Sequence, residues 1–322
     1  MQPSTYSLLT SPLPGPATLK RQPIDFQVTE LMGFEPDGSP PHHWYWVQKE
    51  GANTEWVAKQ FARVLDVSNR EVGFSGMKDR HAVTQQWFST PAALPDELEI
   101  EGVEILRRAQ HSKKLKRGWH RGNQFQIKLY TEAPVDPEAL EALVAQINTS
   151  GFANYFGEQR FGRNNLERFH SLKKRDVKKN GILLSSARAW VFNRLLDQRI
   201  SQGRLAIEAG DRVCLSGSAS HFVASVEELD TLHARQKAGD VSLGLSLPGK
   251  SSDGSAAMDD ECRDIEAKLT SFGVEQGYRP AICRPQALSA SVMDNEIELL
   301  FSLPSGAYAT VLLAHLINLV ES

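Results

Sequence analysis

Residues 73–89 constrain the fold more than any other stretch of this chain. They read as a short apolar strand, a turn hinged by Gly76, and a second strand whose side chains alternate between two faces. The turn presents four polar side chains: Lys78, Asp79, Arg80 and His81. Asp79 therefore lies at a rigid strand end, where the flanking cations favour the ionised form of its carboxylic acid. Such an Asp can serve as nucleophile or base without a metal. The alternative is a solvent-exposed hairpin tip, which is what a short run of charged residues usually forms.

Length and composition indicate a soluble protein of more than one domain. The chain has 322 residues, which exceeds the roughly 250 to 300 residues at which a single hydrophobic core stops growing. The longest apolar run, residues 308–320, contains His315 and Asn318 and is too short to span a membrane. Cys214, Cys262 and Cys283 are isolated in sequence, which favours a reduced, cytoplasmic setting over disulfides or a zinc site.

The net charge is only −3, but the basic residues are segregated. Eight of them lie between Ile105 and Lys128 without any Asp or Glu, and Trp119, Phe125 and two histidines are interleaved with them. Residues 160–179 contain eight more basic residues and only two acidic ones. Basic side chains neutralise phosphates and aromatic rings stack on unpaired bases, so this pattern predicts a face that binds a polyanion.

The remaining periodicities predict a mixture of strands and helices. An irregular lead-in is expected over residues 1–16. We expect strands at 26–30, 42–47, 123–130, 210–223, 241–247 and 296–303, and helices at 53–65, 136–151, 185–200, 259–269 and 308–320. Tyr155, Phe156 and Phe161 lie in a glycine-broken segment, 154–162, which suits either a loop beside a base or ribose, or a tight turn fixed by buried aromatics.

Two groups of residues resemble metal ligands, but the sequence disfavours both. His42 and His43 are adjacent in a predicted strand, so their side chains point to opposite faces, and no third ligand lies at the required spacing. The carboxylates of residues 259–266 fit an exposed acidic helix start, where they complement the helix dipole. We therefore expect no metal.

Several separated motifs resemble, in order, those of the TruD family of tRNA pseudouridine synthases. They are Lys20 to Glu30, Gly76-Met77-Lys78-Asp79, Gly122-Asn123-Gln124-Phe125, Asn154 to Gly162 and Leu303 to Thr310, so the resemblance extends from about residue 20 to 318. It implies an α+β fold with a mainly antiparallel sheet flanked by helices, interrupted by an inserted α/β domain. The implied catalytic pseudouridine synthase domain is discontinuous, at residues 1–150 and 285–322, and the inserted domain spans residues 151–284.

The resemblance also implies a function and a site. The expected activity is isomerisation of a uridine, at position 13 of tRNA, to pseudouridine without cofactor or metal, by a cytoplasmic monomer that binds tRNA and no membrane. Asp79 matches the catalytic aspartate, which would attack the ribose or base, or take a ribose proton. The other matched positions are RNA-binding or substrate-binding ones: Lys20, Lys78, Asn123 for orientation, Phe125 for stacking on the base, Asn154, Gln159, Arg160 and Tyr308.

One departure and two rival functions accompany this interpretation. Relatives usually have an Arg-Glu pair where this chain has Ala314 and His315, and we expect His315 to be structural. The first rival is a non-catalytic protein that binds structured RNA, keeps the basic cleft and has lost catalysis; a requirement for Asp79 in turnover but not in binding distinguishes the enzyme from it. The second is a metal-dependent nuclease, which the lack of a second carboxylate near Asp79 in sequence disfavours.

The basic segment generates a first testable prediction. Removing the charge of Lys113, Lys114, Lys116 and Arg117 should weaken RNA binding, and the loss should depend on salt because released counterions drive phosphate contacts. Turnover of bound RNA should be largely kept. Titration of tRNA binding at several salt concentrations measures the loss of affinity and its dependence on salt. Unchanged binding even at low salt would show that this segment is not the RNA-binding face.

Overall fold

A computed structural model describes residues 6–250 and 259–320, and it has an α+β architecture. The strands are β1 (Leu13–Leu19), β2 (Phe26–Leu31), β3 (His42–Lys49), β4 (Gly73–Phe74), β5 (Val83–Thr90), β6 (Val103–His111), β7 (Gly122–Thr131), β8 (Phe152–Ala153), β9 (Arg212–Leu215), β10 (His221–Val223), β11 (Val241–Leu247), β12 (Gly277–Pro280), β13 (Ile282–Cys283), β14 (Gln286–Met293), β15 (Glu296–Pro304) and β16 (Ile317–Val320). The helices are α1 (Thr54–Val64), α2 (Pro137–Ser150), α3 (Asn165–His170), α4 (Gly181–Ser201), α5 (Leu229–Ala238), α6 (Asp260–Ser271) and α7 (Ala309–Leu316).

A ten-stranded sheet organises one of two compact units, which we call the sheet unit and which comprises residues 13–148, 285–306 and 317–320. Its main strand order is β14-β15-β7-β2-β5-β3-β6, with β1 joined to β7 and β16, and β4 joined to β5. The pairings are antiparallel except for β2 with β5 and β1 with β16. The predicted α+β class with a mainly antiparallel sheet is therefore confirmed, as is the hairpin, in which Phe74 lies opposite Phe88.

The two faces of this sheet bury different side chains. One face packs against α1, whose Val57 and Phe61 contact Tyr45, Val47 and Phe88 in a single apolar cluster. Asn53 caps this helix as predicted, because its side chain accepts a hydrogen bond from the backbone N–H of Trp56 at 2.8 Å. The opposite face buries a tryptophan-rich cluster of Met32, Trp44, Trp87 and Leu115. Strand alternation explains why neighbouring residues of β3 and β5 belong to different clusters.

The second unit comprises, among the described residues, 6–12, 149–250, 259–284 and 307–316. Its four-stranded sheet has the order β10-β9-β11-β12, with antiparallel pairing throughout. The long helix α4 buries Ala187, Trp190, Val191 and Leu196, which belong to the apolar stripe predicted for residues 185–200. The assignment of a catalytic domain and an inserted domain stays a prediction.

Two sequence-based expectations fail at the chain ends. The irregular lead-in ends earlier than expected, because Leu13–Leu19 forms β1; residues 1–5 lie outside the described part of the chain. The terminal helix ends at Leu316 instead of continuing to residue 320, because Ile317–Val320 pairs with β1 as a parallel strand. β1 and β16 pair with each other from opposite ends of the sequence, so a local sequence pattern does not predict either strand.

His315 has the structural role that its sequence context predicts. Its side chain is fully buried in the second unit. Nδ1 donates to the carbonyl of Val311 at 2.9 Å, and Nε2 accepts from the N–H of Ala153 at 3.3 Å. Burial lowers the pKa of His315, and this pair of contacts fits the neutral tautomer protonated at Nδ1.

Across residues 6–250 and 259–320, the structure has no helix with the length and apolar character of a membrane span.

The packing of β7 generates a stability prediction. Leu129 is 0% exposed at the centre of the sheet unit, so Leu129→Ala should lower the free energy of unfolding by about 2–5 kcal/mol because it removes buried methyl groups and leaves a cavity. Leu300 on the adjacent β15 is 43% exposed, and Leu300→Ala should cost less than about 0.5 kcal/mol. Urea denaturation measures both, and equal losses would contradict this assignment of faces.

Candidate active site

Asp79 lies in the turn between β4 and β5, and its carboxylate forms an ion pair with Lys20. Oδ2 of Asp79 is 3.0 Å from Nζ of Lys20, and the Asp79 side chain is 39% exposed. Lys20 follows β1 with a positive φ of 62°, and its ammonium also lies 4.2 Å from the centre of the Phe26 ring. The site therefore presents a half-exposed carboxylate that is oriented by a cation and still open to a ligand.

Lys78 does not act on Asp79 in the way its place in sequence suggests. Its side chain is buried and its Nζ lies 3.1 Å from Oε1 of Glu30, whose side chain is 0% exposed. Arg80 points elsewhere too, because its Nε donates to the carbonyl of Gly51 at 2.8 Å. The turn directs these side chains away from the carboxylate between them, and the cation paired with that carboxylate is Lys20.

The buried Lys78–Glu30 pair explains the glycine at position 76. A Cβ atom there would lie 2.7 Å from Nζ of Lys78 and 3.3 Å from Oε1 of Glu30. Any other residue would therefore displace one of the paired groups. Glu30 is held further by the backbone N–H of Trp87, which donates to Oε2 at 3.2 Å.

Three more side chains fix the backbone of the turn. Thr54 Oγ1 accepts from the N–H of Lys78 at 2.9 Å and donates to Gln86 Oε1 at 2.8 Å. Gln86 in turn donates through Nε2 to the carbonyl of Gly76 at 3.0 Å. The ammonium of Lys49 donates to the carbonyl of Asp79 at 2.7 Å. The polar groups beneath the turn thus form one connected network.

His120 closes the other side of this network. Its Nδ1 lies 2.7 Å from Oγ of Ser75, and its Nε2 lies 3.1 Å from Oγ of Ser305. Burial lowers the pKa of His120, the ammonium of Lys78 lowers it further, and the carboxylate of Glu30 opposes both. The imidazole is therefore neutral at pH 7, and it links the turn to the start of β7 and the end of β15.

Asn123 and Phe125 lie on β7, two residues apart and on one face of the strand. The Phe125 ring stacks on Phe301 at 5.2 Å, meets Phe26 edge-on at 6.1 Å, and is 7% exposed. Asn123 lies directly opposite Glu30 of β2. Its Oδ1 is buried, and no donor in the described part of the chain reaches it. A buried acceptor without a partner costs free energy, and a ligand bonds to it only where the packing around it opens.

The remaining predicted site residues lie in the second unit. Arg160 donates through Nε to Tyr308 Oη and through Nη1 to Ser185 Oγ, both at 3.0 Å. The Tyr308 ring also requires Gly157, because a Cβ at that position would lie 2.9 Å from Cδ1 of Tyr308. These contacts form a compact cluster around the loop at residues 154–162.

Asn154 and Gln159 differ in exposure. Asn154 is 6% exposed; its Nδ2 donates to the carbonyl of Pro280 at 2.9 Å and its Oδ1 accepts from Arg279 at 2.5 Å. Gln159 is exposed in a 3₁₀ turn, Glu158–Arg160. The RNA-binding roles of these two residues, like those of Lys78, Arg160 and Tyr308, stay predictions.

The basic segment after β6 is partly engaged within the protein. Arg117 pairs with Glu55 at 3.6 Å and its guanidinium lies 3.8 Å from the centre of the Phe74 ring, while Lys114 bonds to the carbonyl of Arg70. Lys113 and Lys116 are exposed. In the described residues, no group of three or more His, Cys, Asp or Glu side chains is arranged to hold a metal ion.

Sequence reasoning missed Glu30, Lys49 and His120 as parts of the site. Strand alternation offered a signal for the first two, because Glu30 shares a strand face with Phe26 and Val28, and Lys49 shares one with Tyr45 and Val47. A charged side chain at a core-facing position requires a buried partner. The partners themselves are distant in sequence. Strand alternation therefore identifies a buried charged residue but does not predict which group it contacts.

Comparisons with known proteins identify the family and the fold of this chain. The family model of tRNA pseudouridine synthase D (TruD) matches residues 5–180 and 170–316. The chain is 34% identical to tRNA pseudouridine synthase D of Pseudoalteromonas atlantica, covering 100% of this chain and 98% of that protein. It is 38% identical to the same enzyme of Aeromonas salmonicida, covering 94% of this chain and 91% of that protein.

A solved structure shares the fold. The crystal structure of a Methanosarcina mazei protein assigned as tRNA pseudouridine synthase D aligns with a TM-score of 0.70 over 97% of this chain and 95% of that one, at 20% identity. The family match over nearly the whole chain and the two close relatives identify an enzyme of the isomerase class. The chain belongs to the TruD family of tRNA pseudouridine synthases.

The buried pair beneath Asp79 generates a third prediction. Glu30→Gln should lower the free energy of unfolding by about 3 kcal/mol, because it leaves the ammonium of Lys78 buried without a counter-charge. Adding Lys78→Met should recover part of the loss by removing that charge. Urea denaturation followed by tryptophan fluorescence reports mainly on the sheet unit, because every tryptophan except Trp190 lies in that unit. A double variant that is less stable than Glu30→Gln alone would contradict the pairing.

Proposed function

We propose that this protein converts uridine 13 of tRNA to pseudouridine and that Asp79 is its catalytic residue. The observation that carries the proposal is the Asp79 carboxylate, fixed in a rigid turn, paired with Lys20 at 3.0 Å and 39% exposed. Membership of the TruD family supplies the reaction class. The protein acts as a cytoplasmic monomer and needs no cofactor.

The reaction rearranges the substrate without any net gain or loss of atoms, and breaking its glycosidic bond calls for a nucleophile or a base. The bond between N1 of uracil and C1′ of ribose breaks, the base rotates, and a bond forms between C5 and C1′. The proton on C5 is then lost to solvent and N1 gains one. Asp79 serves the first step either as a nucleophile towards ribose or base, or as the base that removes a ribose proton. Lys20 holds the carboxylate in place throughout.

Asn123 and Phe125 support recognition of the extracted base. A uridine must leave its stack to be rearranged, and a pocket then recognises its edge and face. The unpartnered Oδ1 of Asn123 suits the N3–H donor of uracil. The predicted stacking of the base on Phe125 rests on the family resemblance.

The test is pseudouridine formation on an unmodified tRNA transcript without added metal. We expect the wild-type protein to form product at position 13, and a transcript with cytidine at that position to remain unmodified. Asp79→Asn should slow turnover by at least about 100-fold, because it keeps the shape and removes the reacting charge. Chemical mapping of pseudouridine measures all three.

A matched control separates catalysis from binding. Asp66 is exposed, and its φ of 53° lies in the left-handed region that Asn tolerates well. Asp66→Asn should therefore keep wild-type turnover. Asp79→Asn should bind tRNA within about threefold of wild type, since affinity comes mainly from phosphate contacts. No product from the wild-type protein, or wild-type turnover by Asp79→Asn, would overturn the proposal; tRNA binding without turnover would favour the non-catalytic rival.

A further inference from the structure

Lys49 is the most deeply buried charged group of the sheet unit that the reaction has not yet used. It ends β3, between Thr84 of β5 and Val103 of β6, and it is 0% exposed. Its ammonium donates to the carbonyls of Ala52 and Asp79, each at 2.7 Å, and it lies 3.4 Å from the carbonyl of Lys78. Three donors therefore face three backbone acceptors.

This arrangement joins two segments that are far apart in sequence. Ala52 belongs to the loop between β3 and α1, and Lys78 and Asp79 belong to the turn between β4 and β5. A second bond joins the same segments, because Nε of Arg80 donates to the carbonyl of Gly51 at 2.8 Å. The peptide units on both sides of the Asp79 Cα are thereby held from below.

We infer that Lys49 is a positioning residue for the reaction, and that its ammonium fixes the backbone of the turn so that the Asp79 carboxylate faces the substrate in a productive orientation. The inference rests on the proposed function. Lys49 acts through Asp79 and does not touch the substrate, because its three protons are directed at protein carbonyls. Misplacement of a reacting group by about 1 Å can cost about 100-fold in rate.

The energetics show that stability alone does not explain this lysine. Burying a charge without a carboxylate partner costs free energy, and apolar replacements of buried charges are often neutral or stabilising. Burial lowers the pKa of Lys49 to about 8; the Asp79 carboxylate opposes this and the Lys78 ammonium adds to it. Lys20 and Glu30 are the counter-charges of those two groups.

The sign of the pH effect separates positioning from folding. The pKa of Lys49 is lower in the folded than in the unfolded chain, so this group's contribution to stability increases as pH rises above about 8. Its positioning contribution should decrease over the same range, since a neutral amine has two donors and leaves one carbonyl facing a lone pair. A loss of rate above pH 8 without loss of stability is thus specific to positioning.

The first experiment compares Lys49→Met with Lys59→Met, a control that changes an exposed lysine of α1. Under single turnover with saturating tRNA, Lys49→Met should react about 100-fold more slowly than wild type while tRNA affinity stays within about threefold. Lys59→Met should match wild type in both. Wild-type turnover by Lys49→Met, or a loss of affinity that accounts for the slower rate, would overturn the inference.

The second experiment is a pH profile that requires only a charge-preserving variant. From about pH 7 to about pH 10, the single-turnover rate of wild type should fall as Lys49 loses its proton, whereas Lys49→Arg should keep a flatter profile because a guanidinium stays charged. Titration of the RNA affects both proteins equally. Superimposable profiles would contradict the role of the ammonium, even if Lys49→Met does not fold.

A third readout needs no activity and keeps failure of this inference distinct from failure of the proposed function. The N–H of Lys78, bonded to Thr54 Oγ1, should exchange with solvent about tenfold faster or more in Lys49→Met, with amides of β5 unchanged. Unchanged exchange would overturn the inference. If wild type forms pseudouridine and Asp79→Asn does not, while Lys49→Met is fully active, only the role of Lys49 fails.

Discussion

The buried ion pair between Lys78 and Glu30 is the interaction on which the site depends. It lies in side chains that are 4% and 0% exposed, where an unpaired charge of either sign would be costly. The pair requires Gly76, since a side chain there would occupy the same space. It also points Lys78 inward. Asp79, the next residue, is left half-exposed and pairs with Lys20, which follows β1, so the turn presents an ion-paired carboxylate at its surface.

The same sheet face supplies the polar groups around that pair. Residues paired directly across neighbouring strands share a face, and this relation groups Glu30 with Asn123 and Lys49 with Thr84. These are core-facing positions that an ordinary sheet fills with apolar side chains, as Tyr45 and Phe88 do beside α1. Buried polar side chains of this kind depart from local sequence rules, and such departures are expected at functional or strained sites. These buried polar side chains lie at one end of the strands, and the apolar cluster beside them is continuous.

The sequence was sufficient for elements whose pattern is local. The hairpin at residues 73–89, the strand alternation of β2 and β7 and the Asn53 cap follow from short windows, and the fold class follows from motifs in order. The cation paired with the Asp79 carboxylate was not predictable locally, because Lys20 is 59 residues away and its approach depends on a positive φ after β1. The same limit hid β16, which pairs with β1 from the opposite end of the sequence and with no other strand of the described residues.

Hydrogen-bond satisfaction distinguishes the predicted contacts in the two units. In the second unit, the side chains of Asn154, Arg160 and Tyr308 are already bonded to protein groups, so a ligand would have to replace existing bonds to engage those atoms. In the sheet unit, Asn123 retains a buried oxygen without a donor and Asp79 retains exposed surface. An unsatisfied buried acceptor is a standing cost that a bound base could remove. The unsatisfied acceptor therefore lies on β7, whereas the bonded polar atoms of the motif at residues 154–162 hold its own loop, and the RNA-binding roles of both stay predictions.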